Sequence, residues 1–431
     1  MSTESTVLRG VRWIDLEAHI DKEVDLLVTP EEILELNGAA PEGAKNLNAE
    51  GMWALPGLVD LQVHFRQPGD THKESIESGS QAAVAGGVTT AVVMPNTKPP
   101  LDTPEKVRFQ MQEAERVRGI QILVAAAATK GLEGKQITDY GALKEAGAVA
   151  ITDDGLPVLH DDVMEESLSS CAKHNLLFMQ HAEDTTMTNH APMTLGSTSQ
   201  SIGVEGQPAD AEGVMVERDI RLLEKTGGRY HVLHTSTKRS LQAIKAAKAK
   251  GLSVSCEASP HHLLLTDAAC AGKDPNTKMN PPLRSEEDRQ ELIACLLDGT
   301  VDAVATDHAP HSHDEKAVGF EKAPFGVVGL ETAFAALLRF VHAGDMSVEQ
   351  AVALMTTRPA RTLQMNGRIG TTQGAHARKD LCVVDPEQLW TVSDSTLVGR
   401  SKNSSFLGHE FRGRIMATFV GGSLRFSRFA S

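Results

Sequence analysis

The chain has 431 residues, of which 41% are hydrophobic and 23% are charged, and its formal net charge at pH 7 is −15. This composition is typical of a globular protein that is long enough for a large domain and a smaller one. The acidic balance argues against nucleic acid and anionic membranes as partners, because both bind basic surfaces, and we expect neither.

Residues 5–55 contain short segments such as VDLLV and EEILEL, in which apolar and polar residues alternate. Residues 366–431 contain similar segments, KDLCVVDP, RIMATFV and GSLRF, between Gly and Pro turns. Both patterns are typical of small antiparallel strands. We therefore predict a small β-sandwich domain built from both ends of the chain, residues 1–56 and 362–431.

Between these ends, eight β-like runs recur, and most are separated by helix-like stretches rich in Ala, Glu and Lys. The predicted strands are 57–64, 89–94, 120–126, 148–151, 176–181, 230–234, 252–256 and 301–305. The predicted helices are 76–85, 103–116, 139–145, 161–174, 210–224, 240–250 and 285–297. Alternating strands and helices indicate a parallel sheet, and eight units favour an α/β fold of the closed (β/α)8 TIM type over residues 57–361. An open doubly wound sheet is the alternative, but no GxGxxG loop follows the first strand.

Cysteine usage and the absence of targeting segments bear on location. The five cysteines are scattered and form no CxxC pair, which fits a reducing compartment better than a disulfide framework. MSTESTVLRG has no basic region followed by an apolar run, so we expect no secretory signal. No apolar run is long enough to span a bilayer. We expect a soluble, cytoplasmic protein.

Several predicted barrel strands end in a residue that can bind a metal ion or move a proton. The carboxyl ends of barrel strands meet at one mouth, where active sites lie, so distant residues would converge there. Each residue alone is more often structural, but their succession along the strands indicates a site. These residues are Gln62 and His64, Asp153 and Asp154, His181, His234, and Asp307 and His308.

The chemistry of this set is that of a metal-dependent hydrolase. Imidazoles and carboxylates together suit Zn²⁺ or a similar borderline ion. Such ions lower the pKa of water, which can then attack an amide carbon at neutral pH. Asp307 is placed to accept the proton of that water and to return it to the leaving nitrogen.

The longer segments around these residues resemble type I dihydroorotases of the amidohydrolase superfamily, over nearly the whole chain. The resemblance implies reversible hydrolysis of L-dihydroorotate to N-carbamoyl-L-aspartate in pyrimidine synthesis, with one or two Zn²⁺ ions per chain. A homo-oligomer is also expected. The segments are PGLVDLQVHFRQPG, KESIESGSQAAVAGGVTTAVVMPNTKPP, LKEAGAVAITDDGLPV, KMNPPLR and DAVATDHAPH.

The resemblance also implies a role for each site residue. In the metal centre, His64 would bind the first ion, Asp154 would bridge both ions, and Asp307 would be both ligand and general acid–base. The second ion would be bound by His181 and His234. The residues implied to hold the substrate are Arg66, Asn96 and His311 for its carboxylate and Asn280 for its ring.

The substrate residues also have a physical rationale. Dihydroorotate carries one carboxylate, and Arg66, two residues after His64, can bind a carboxylate through two parallel hydrogen bonds. Asn96, in the MPNT loop, offers both a donor and an acceptor, although a turn residue in a Pro-rich loop is an equally good interpretation.

The chain departs from the family pattern at one position. Type I dihydroorotases have His-x-His on the first strand, whereas this chain has Gln62-x-His64, and an amide oxygen is a poorer Zn²⁺ ligand than an imidazole nitrogen. The first ion would therefore lose its fourth protein ligand. The enzyme could use Gln62 or water as the fourth ligand, could hold one ion well and have lower activity, or could have lost its catalytic activity.

The last outcome defines a second hypothesis. Some dihydroorotase-like chains that lack metal ligands support the assembly of aspartate transcarbamoylase, which is therefore a candidate partner. A third hypothesis keeps the enzyme class but exchanges the substrate for another ring amide, such as a hydantoin or allantoin. The carboxylate of Asp154 in place of a strand-four lysine, together with Arg66 and Asn96, weighs against that exchange.

Overall fold

The computed structural model describes residues 5–429; the outermost ends of the predicted β-domain, and the first residues of the segment in which we expect no secretory signal, lie outside this range. The strands are β1 (Thr6–Asp15), β2 (Ile20–Val28), β3 (Ile33–Glu35), β4 (Lys45–Asn48), β5 (Trp53–Pro56), β6 (Leu58–Val63), β7 (Val88–Val93), β8 (Gln121–Ala127), β9 (Ala148–Thr152), β10 (Leu177–Gln180), β11 (Met193–Thr194), β12 (Gly206–Gln207), β13 (Arg229–Val232), β14 (Val254–Ala258), β15 (Ala303–Val304), β16 (Leu381–Thr391), β17 (Glu410–Val420) and β18 (Ser423–Ser427). The helices are α1 (Ile76–Ala85), α2 (Pro104–Val117), α3 (Tyr140–Glu145), α4 (Asp161–His174), α5 (Thr185–Thr188), α6 (Ser197–Ile202), α7 (Asp210–Thr226), α8 (Lys238–Ala249), α9 (Pro260–Leu264), α10 (Glu286–Leu297), α11 (His313–Lys316), α12 (Ala333–Ala343), α13 (Val348–Leu354) and α14 (Thr357–Thr362).

Parallel strands form a nearly closed barrel in the order β6–β7–β8–β9–β10–β13–β14–β15 within the described range. Every residue of β6 and β7 is buried, as expected for strands that are covered on both faces. The ring closes between β15 and β6, where the His64 backbone N–H donates to the His308 carbonyl over 2.8 Å. The predicted TIM-type α/β barrel is confirmed.

Two apolar clusters give the barrel its inner and outer layers. The outer cluster joins strand residues to the surrounding helices, for example Val88 of β7 to Ile76 of α1. The inner cluster takes residues such as Leu61, Ala125 and Met179 from the strands and none from α1–α8. The polar residues of the site therefore lie above a packed interior, at the carboxyl ends of the strands.

Both chain ends contribute to one sheet, which runs β18–β17–β16–β5–β1–β2–β3 with β4 paired to β1. β5 joins the two ends, because it pairs parallel with β1 and antiparallel with β16. Part of this sheet packs with the barrel helices through Cys382 and Ile415, and another part has its own core around Trp13 and Phe419. The expectation that both chain ends form one β-structure is confirmed as a single sheet, whereas the domain limits 1–56, 57–361 and 362–431 remain a proposal.

Helix α1 fixes the loop that follows the first barrel strand. Ser75 caps α1 by accepting a hydrogen bond from the Ser78 backbone N–H. Gly79 lets the helix approach closely, since a Cβ at this position would lie 2.4 Å from the ring of Phe65. This packing holds the residue next to His64 and so orients the end of β6.

The helices α11–α14, after the last barrel strand, were not predicted from the sequence. α12 has only two polar residues, Arg339 and His342, in a sequence that is otherwise apolar, and the other three helices have seven residues or fewer. A mostly apolar segment and a very short one both give a weak sequence pattern for a helix. Among the described residues, none of these or the other helices has both the length and the apolar character needed to cross a membrane.

Candidate metal centre

The predicted ligands converge at the barrel mouth. Two groups of buried donors, each with all ligand atoms within 4.8 Å of one another, are present among the described residues. They share one carboxylate, that of Asp154. The groups are His64, Asp154 and Asp307, and Asp154, His181 and His234.

The turn after β9 presents Asp154 to the mouth. Asp153 faces elsewhere, because its carboxylate accepts hydrogen bonds from the backbone N–H of Thr129 at 3.0 Å and from the Thr129 hydroxyl. Gly155 follows with a φ of +82°, and a Cβ there would lie 3.4 Å from Asn96 Nδ2. The glycine thus leaves room for Asn96 to donate to the Asp154 carbonyl over 3.3 Å.

The Asp154 carboxylate lies between the two groups. Its Oδ1 is 3.6 Å from both His181 Nδ1 and His234 Nε2, and its Oδ2 is 3.1 Å from His64 Nε2. Burial opposes ionisation of Asp154, but hydrogen bonds from the three imidazoles outweigh it and hold its pKa well below the usual range. Asp154 is therefore an anion that both groups share.

A carboxylate that was not foreseen orients His181. Glu183 Oε2 accepts a hydrogen bond from His181 Nε2 over 2.9 Å, and the other ring nitrogen, Nδ1, lies 3.0 Å from His234 Nε2. Burial opposes ionisation of Glu183, but the His181 hydrogen bond lowers its pKa to about 2. Such carboxylate–histidine pairs fix metal-binding imidazoles in other proteins.

His64 is held between an amide and two carboxylates. Asn96 Nδ2 donates a hydrogen bond to the Asp154 carbonyl. Asn96 Oδ1 therefore faces His64 Nδ1, 2.9 Å away, and accepts a hydrogen bond from it. His64 Nε2 then faces Asp154 Oδ2 and Asp307 Oδ1, the latter at 3.0 Å. Burial opposes a charge on His64, but the two carboxylates raise its pKa to about 9.

Gln62 also contacts the shared carboxylate. Its Nε2 donates to Asp154 Oδ2 over 2.9 Å, while its Oε1 is buried with no hydrogen-bond partner in residues 5–429. A buried polar atom without a partner costs about 1–3 kcal/mol. The pairing of β6 with β7 shifts register between Asp60 and Val63, and this bulge lies where Gln62 reaches the mouth.

Asp307 has a strained backbone that neighbouring contacts hold in place. Its φ is +48°, in the left-handed region that costs about 1–3 kcal/mol for a residue other than glycine. On one side, Thr306 donates to the Asp60 carboxylate from its hydroxyl over 2.6 Å and from its backbone N–H over 3.1 Å. On the other side, His308 Nε2 lies 3.4 Å from Glu74 Oε2.

No role was predicted for Asp60 or Glu74 from the sequence. Asp60 lies in the same motif as Gln62 and His64, so its position in an alternating polar series was an available signal. Glu74, in KESIES, carried no such signal, because its partner His308 lies 234 residues away in sequence.

The predicted substrate residues lie around the ligands. Arg66 donates from Nε to the Pro310 carbonyl over 3.4 Å, and no hydrogen bond within the described range occupies its two terminal nitrogens. Asn280 Nδ2 donates to Glu183 Oε2 over 2.8 Å, which places it beside the second group. The guanidinium of Arg66 is therefore free to bind an anion.

His311 has one ring nitrogen engaged and one free. Its Nε2 donates to the Phe325 carbonyl over 2.8 Å, and its Nδ1 is buried with no hydrogen-bond partner among residues 5–429. Burial and the nearby charge of Arg66 lower the pKa of His311 to about 3. In this conformation its Nδ1 offers a lone pair rather than a proton.

Comparisons with known proteins show what the chain is similar to in sequence and in fold. The family described as Dihydro-orotase-like matches residues 51–240. The chain is 39% identical to the curated Dihydroorotase of Geobacter metallireducens, covering 98% of this chain and 99% of that protein. It is 41% identical to the Dihydroorotase of Solibacter usitatus, covering 99% of both. The solved L-hydantoinase (dihydropyrimidinase) of Arthrobacter aurescens shares the fold, with a TM-score of 0.86, 24% identity, and coverage of 99% of this chain and 97% of that one.

Proposed function

The chain belongs to the dihydroorotase family, and we propose that it uses Zn²⁺ to hydrolyse L-dihydroorotate reversibly to N-carbamoyl-L-aspartate. The observation that carries the proposal is the pair of donor groups that share Asp154 at the barrel mouth, with the free guanidinium of Arg66 close by. The donors suit a metal, and the guanidinium suits the carboxylate of the substrate.

The donor chemistry fits Zn²⁺. His181 Nδ1 and His234 Nε2 lie equally far from Asp154 Oδ1, at 3.6 Å, so two imidazole nitrogens and one carboxylate oxygen converge on one point. This is a typical protein donor set for a Zn²⁺ ion that keeps one position open. A bound ion would polarise the ring amide and lower the pKa of the attacking water.

Asp307 is proposed as the general acid–base. The water oxygen bonds to the ring carbonyl carbon while Asp307 takes a water proton, and Asp307 then gives that proton to the ring nitrogen as the carbon–nitrogen bond breaks. His64 Nε2, 3.0 Å from Asp307 Oδ1, orients the carboxylate for both transfers. Ring closure runs the same steps in reverse.

Substrate binding is assigned to four residues. Arg66 would bind the carboxylate of dihydroorotate through two hydrogen bonds. Asn96 donates one amide hydrogen to the Asp154 carbonyl, and its second amide hydrogen would be available to the substrate. Asn280 would contact the ring, and His311, next to Arg66, would complete the carboxylate end by taking up a proton on its free Nδ1 when the anion binds.

The experiment is a substrate comparison with a matched catalytic control. The purified, Zn²⁺-loaded chain is assayed in both directions with dihydroorotate and N-carbamoyl-aspartate, and in hydrolysis with hydantoin and allantoin. We expect dihydroorotate to be preferred, and Asp307→Asn, a substitution of nearly equal size, to abolish turnover. A preference for hydantoin or allantoin would assign another substrate to the same enzyme class.

The Gln62 position favours one second candidate, a catalytically weakened subunit that supports the assembly of aspartate transcarbamoylase. Co-expression followed by sedimentation would detect this partner and also the expected homo-oligomer. Turnover by the isolated chain would rule out a purely structural role, whether or not the complex forms.

A cytoplasmic location is part of the proposal, supported by five buried cysteines that are all free thiols.

A further inference from the structure

We propose that this chain holds one metal ion tightly, in the group Asp154, His181 and His234, and that Gln62 makes the group His64, Asp154 and Asp307 a weaker site. The inference rests on the proposed function, because the use of Zn²⁺ is part of that proposal. It concerns what this chain does differently from the two-histidine pattern on the first strand.

The tight site is preorganised. Glu183 accepts a hydrogen bond from Nε2 of His181, so Nδ1 is the ring nitrogen that faces the shared carboxylate and would bind the ion. His234 is fixed in a strained backbone with a φ of +31°, and its Nε2 lies 3.0 Å from His181 Nδ1. All three donors are buried, so an ion binding here meets ligands that need little rearrangement.

The first group, His64, Asp154 and Asp307, differs because the Gln62 amide presents an N–H where the family has the lone pair of a histidine nitrogen. The Gln62 amide group donates to Asp154 Oδ2 over 2.9 Å, and this oxygen also faces His64 Nε2 at 3.1 Å. The oxygen that would ligate an ion in this group thus already accepts a hydrogen bond from the protein. An ion in this position must compete with that bond.

Rotating the Gln62 amide would supply an oxygen ligand, at a cost. The rotation breaks the hydrogen bond to Asp154 and turns Oε1 toward Asp154 Oδ2, where the oxygens repel unless a cation separates them. The result is a neutral oxygen ligand in place of an imidazole nitrogen. Even loss of an outer-shell partner lowers metal affinity about 10–100-fold, so we expect the two sites to differ by at least about 10-fold.

The test is a Zn²⁺ titration of the full-length, metal-free chain against a chromophoric chelator, followed by metal analysis after dialysis. We expect the natural chain to retain one ion and to bind a second at least about 10-fold more weakly. Gln62→His should retain two. Gln62→Leu, which removes the amide and supplies no ligand, should retain one. Circular dichroism confirms that each variant is folded.

Two further variants locate the retained ion. His234→Asn should lose it, whereas His64→Asn should keep it. Two ions retained by the natural chain, a single ion in Gln62→His, or loss of the ion in His64→Asn would each overturn the inference. Two tight ions with dihydroorotate turnover would leave the proposed function standing, whereas a chain that binds no Zn²⁺ would overturn both.

Discussion

The side-chain amide of Gln62 donates a hydrogen bond to Asp154 Oδ2 over 2.9 Å, across 92 residues of sequence. This contact puts a protein donor next to the carboxylate that both groups share. Gln62, which stands where the family pattern has a histidine, therefore acts on the metal centre directly, and substitutions at this position should change metal binding and activity.

Gln62→His is expected to raise activity at limiting zinc. The imidazole restores the fourth ligand of the first group and frees Asp154 Oδ2 from the amide. We expect kcat/KM for dihydroorotate at low Zn²⁺ to rise about 10-fold, in line with the affinity gain. Steady-state assays over a series of buffered Zn²⁺ concentrations measure this, and a lower kcat/KM at every concentration would contradict it.

Arg66→Met is expected to weaken substrate use without affecting metal binding. Charge-assisted hydrogen bonds contribute about 1.5–3 kcal/mol, so kcat/KM should fall about 10–100-fold. Arg108→Met on the exposed face of α2 is the matched control and should leave kcat/KM unchanged. Equal kcat/KM in the Arg66 variant and the natural chain would exclude Arg66 from carboxylate binding.

Glu183→Gln is expected to loosen the tight ion. The neutral amide holds the Nε2 proton of His181 less firmly, so the Kd for Zn²⁺ should rise about 10–100-fold. Asp184→Asn removes the adjacent charge, whose carboxylate caps α5 instead, and should leave the Kd unchanged. Competition with a chelator gives both values, and equal Kd changes in the two variants would refute a specific role for Glu183.

Thr306→Val is expected to lower both stability and turnover. The variant loses the 2.6 Å hydrogen bond to the buried Asp60, which should cost about 1–3 kcal/mol in the free energy of unfolding. Thr356→Val is the control, since it loses a 2.6 Å hydrogen bond to the Val352 carbonyl in another buried position. Both should unfold at lower denaturant concentration, but kcat should fall only in Thr306→Val, where Asp307 is displaced.

Metal removal is expected to destabilise the folded chain. An ion that binds only the folded state adds about 2.7 kcal/mol at a free concentration 100 times its Kd. Thermal unfolding should therefore shift to lower temperature after chelation and recover when Zn²⁺ is returned. His234→Asn, which lacks a ligand of the tight site, should show little shift, and a shift equal to that of the natural chain would place the stabilising ion elsewhere.

The barrel and the convergence of the site residues could be predicted from local patterns. Apolar runs such as residues 57–64 recur with helical stretches between them, and strand ends in a barrel share one mouth whatever the details of packing. His64, Asp154, His181, His234 and Asp307 could therefore be brought together before any contact was known.

The contacts that orient these residues could not be predicted. The direction of the Gln62 amide depends on a bulge in β6 and on Asp154, which follows another strand, β9. Glu183 follows His181 in the sequence HAED, where an acidic pair is also typical of a helix cap. Such roles depend on side-chain geometry across the fold, which residue spacing does not encode.

The most direct test of the central claim is dihydroorotate turnover by the purified full-length chain, measured before chelation, after chelation and after Zn²⁺ is returned. We predict turnover in the first state, its loss in the second and its recovery in the third. A chain that retains its metal yet shows no turnover in either direction, or one whose turnover survives chelation, would contradict the account.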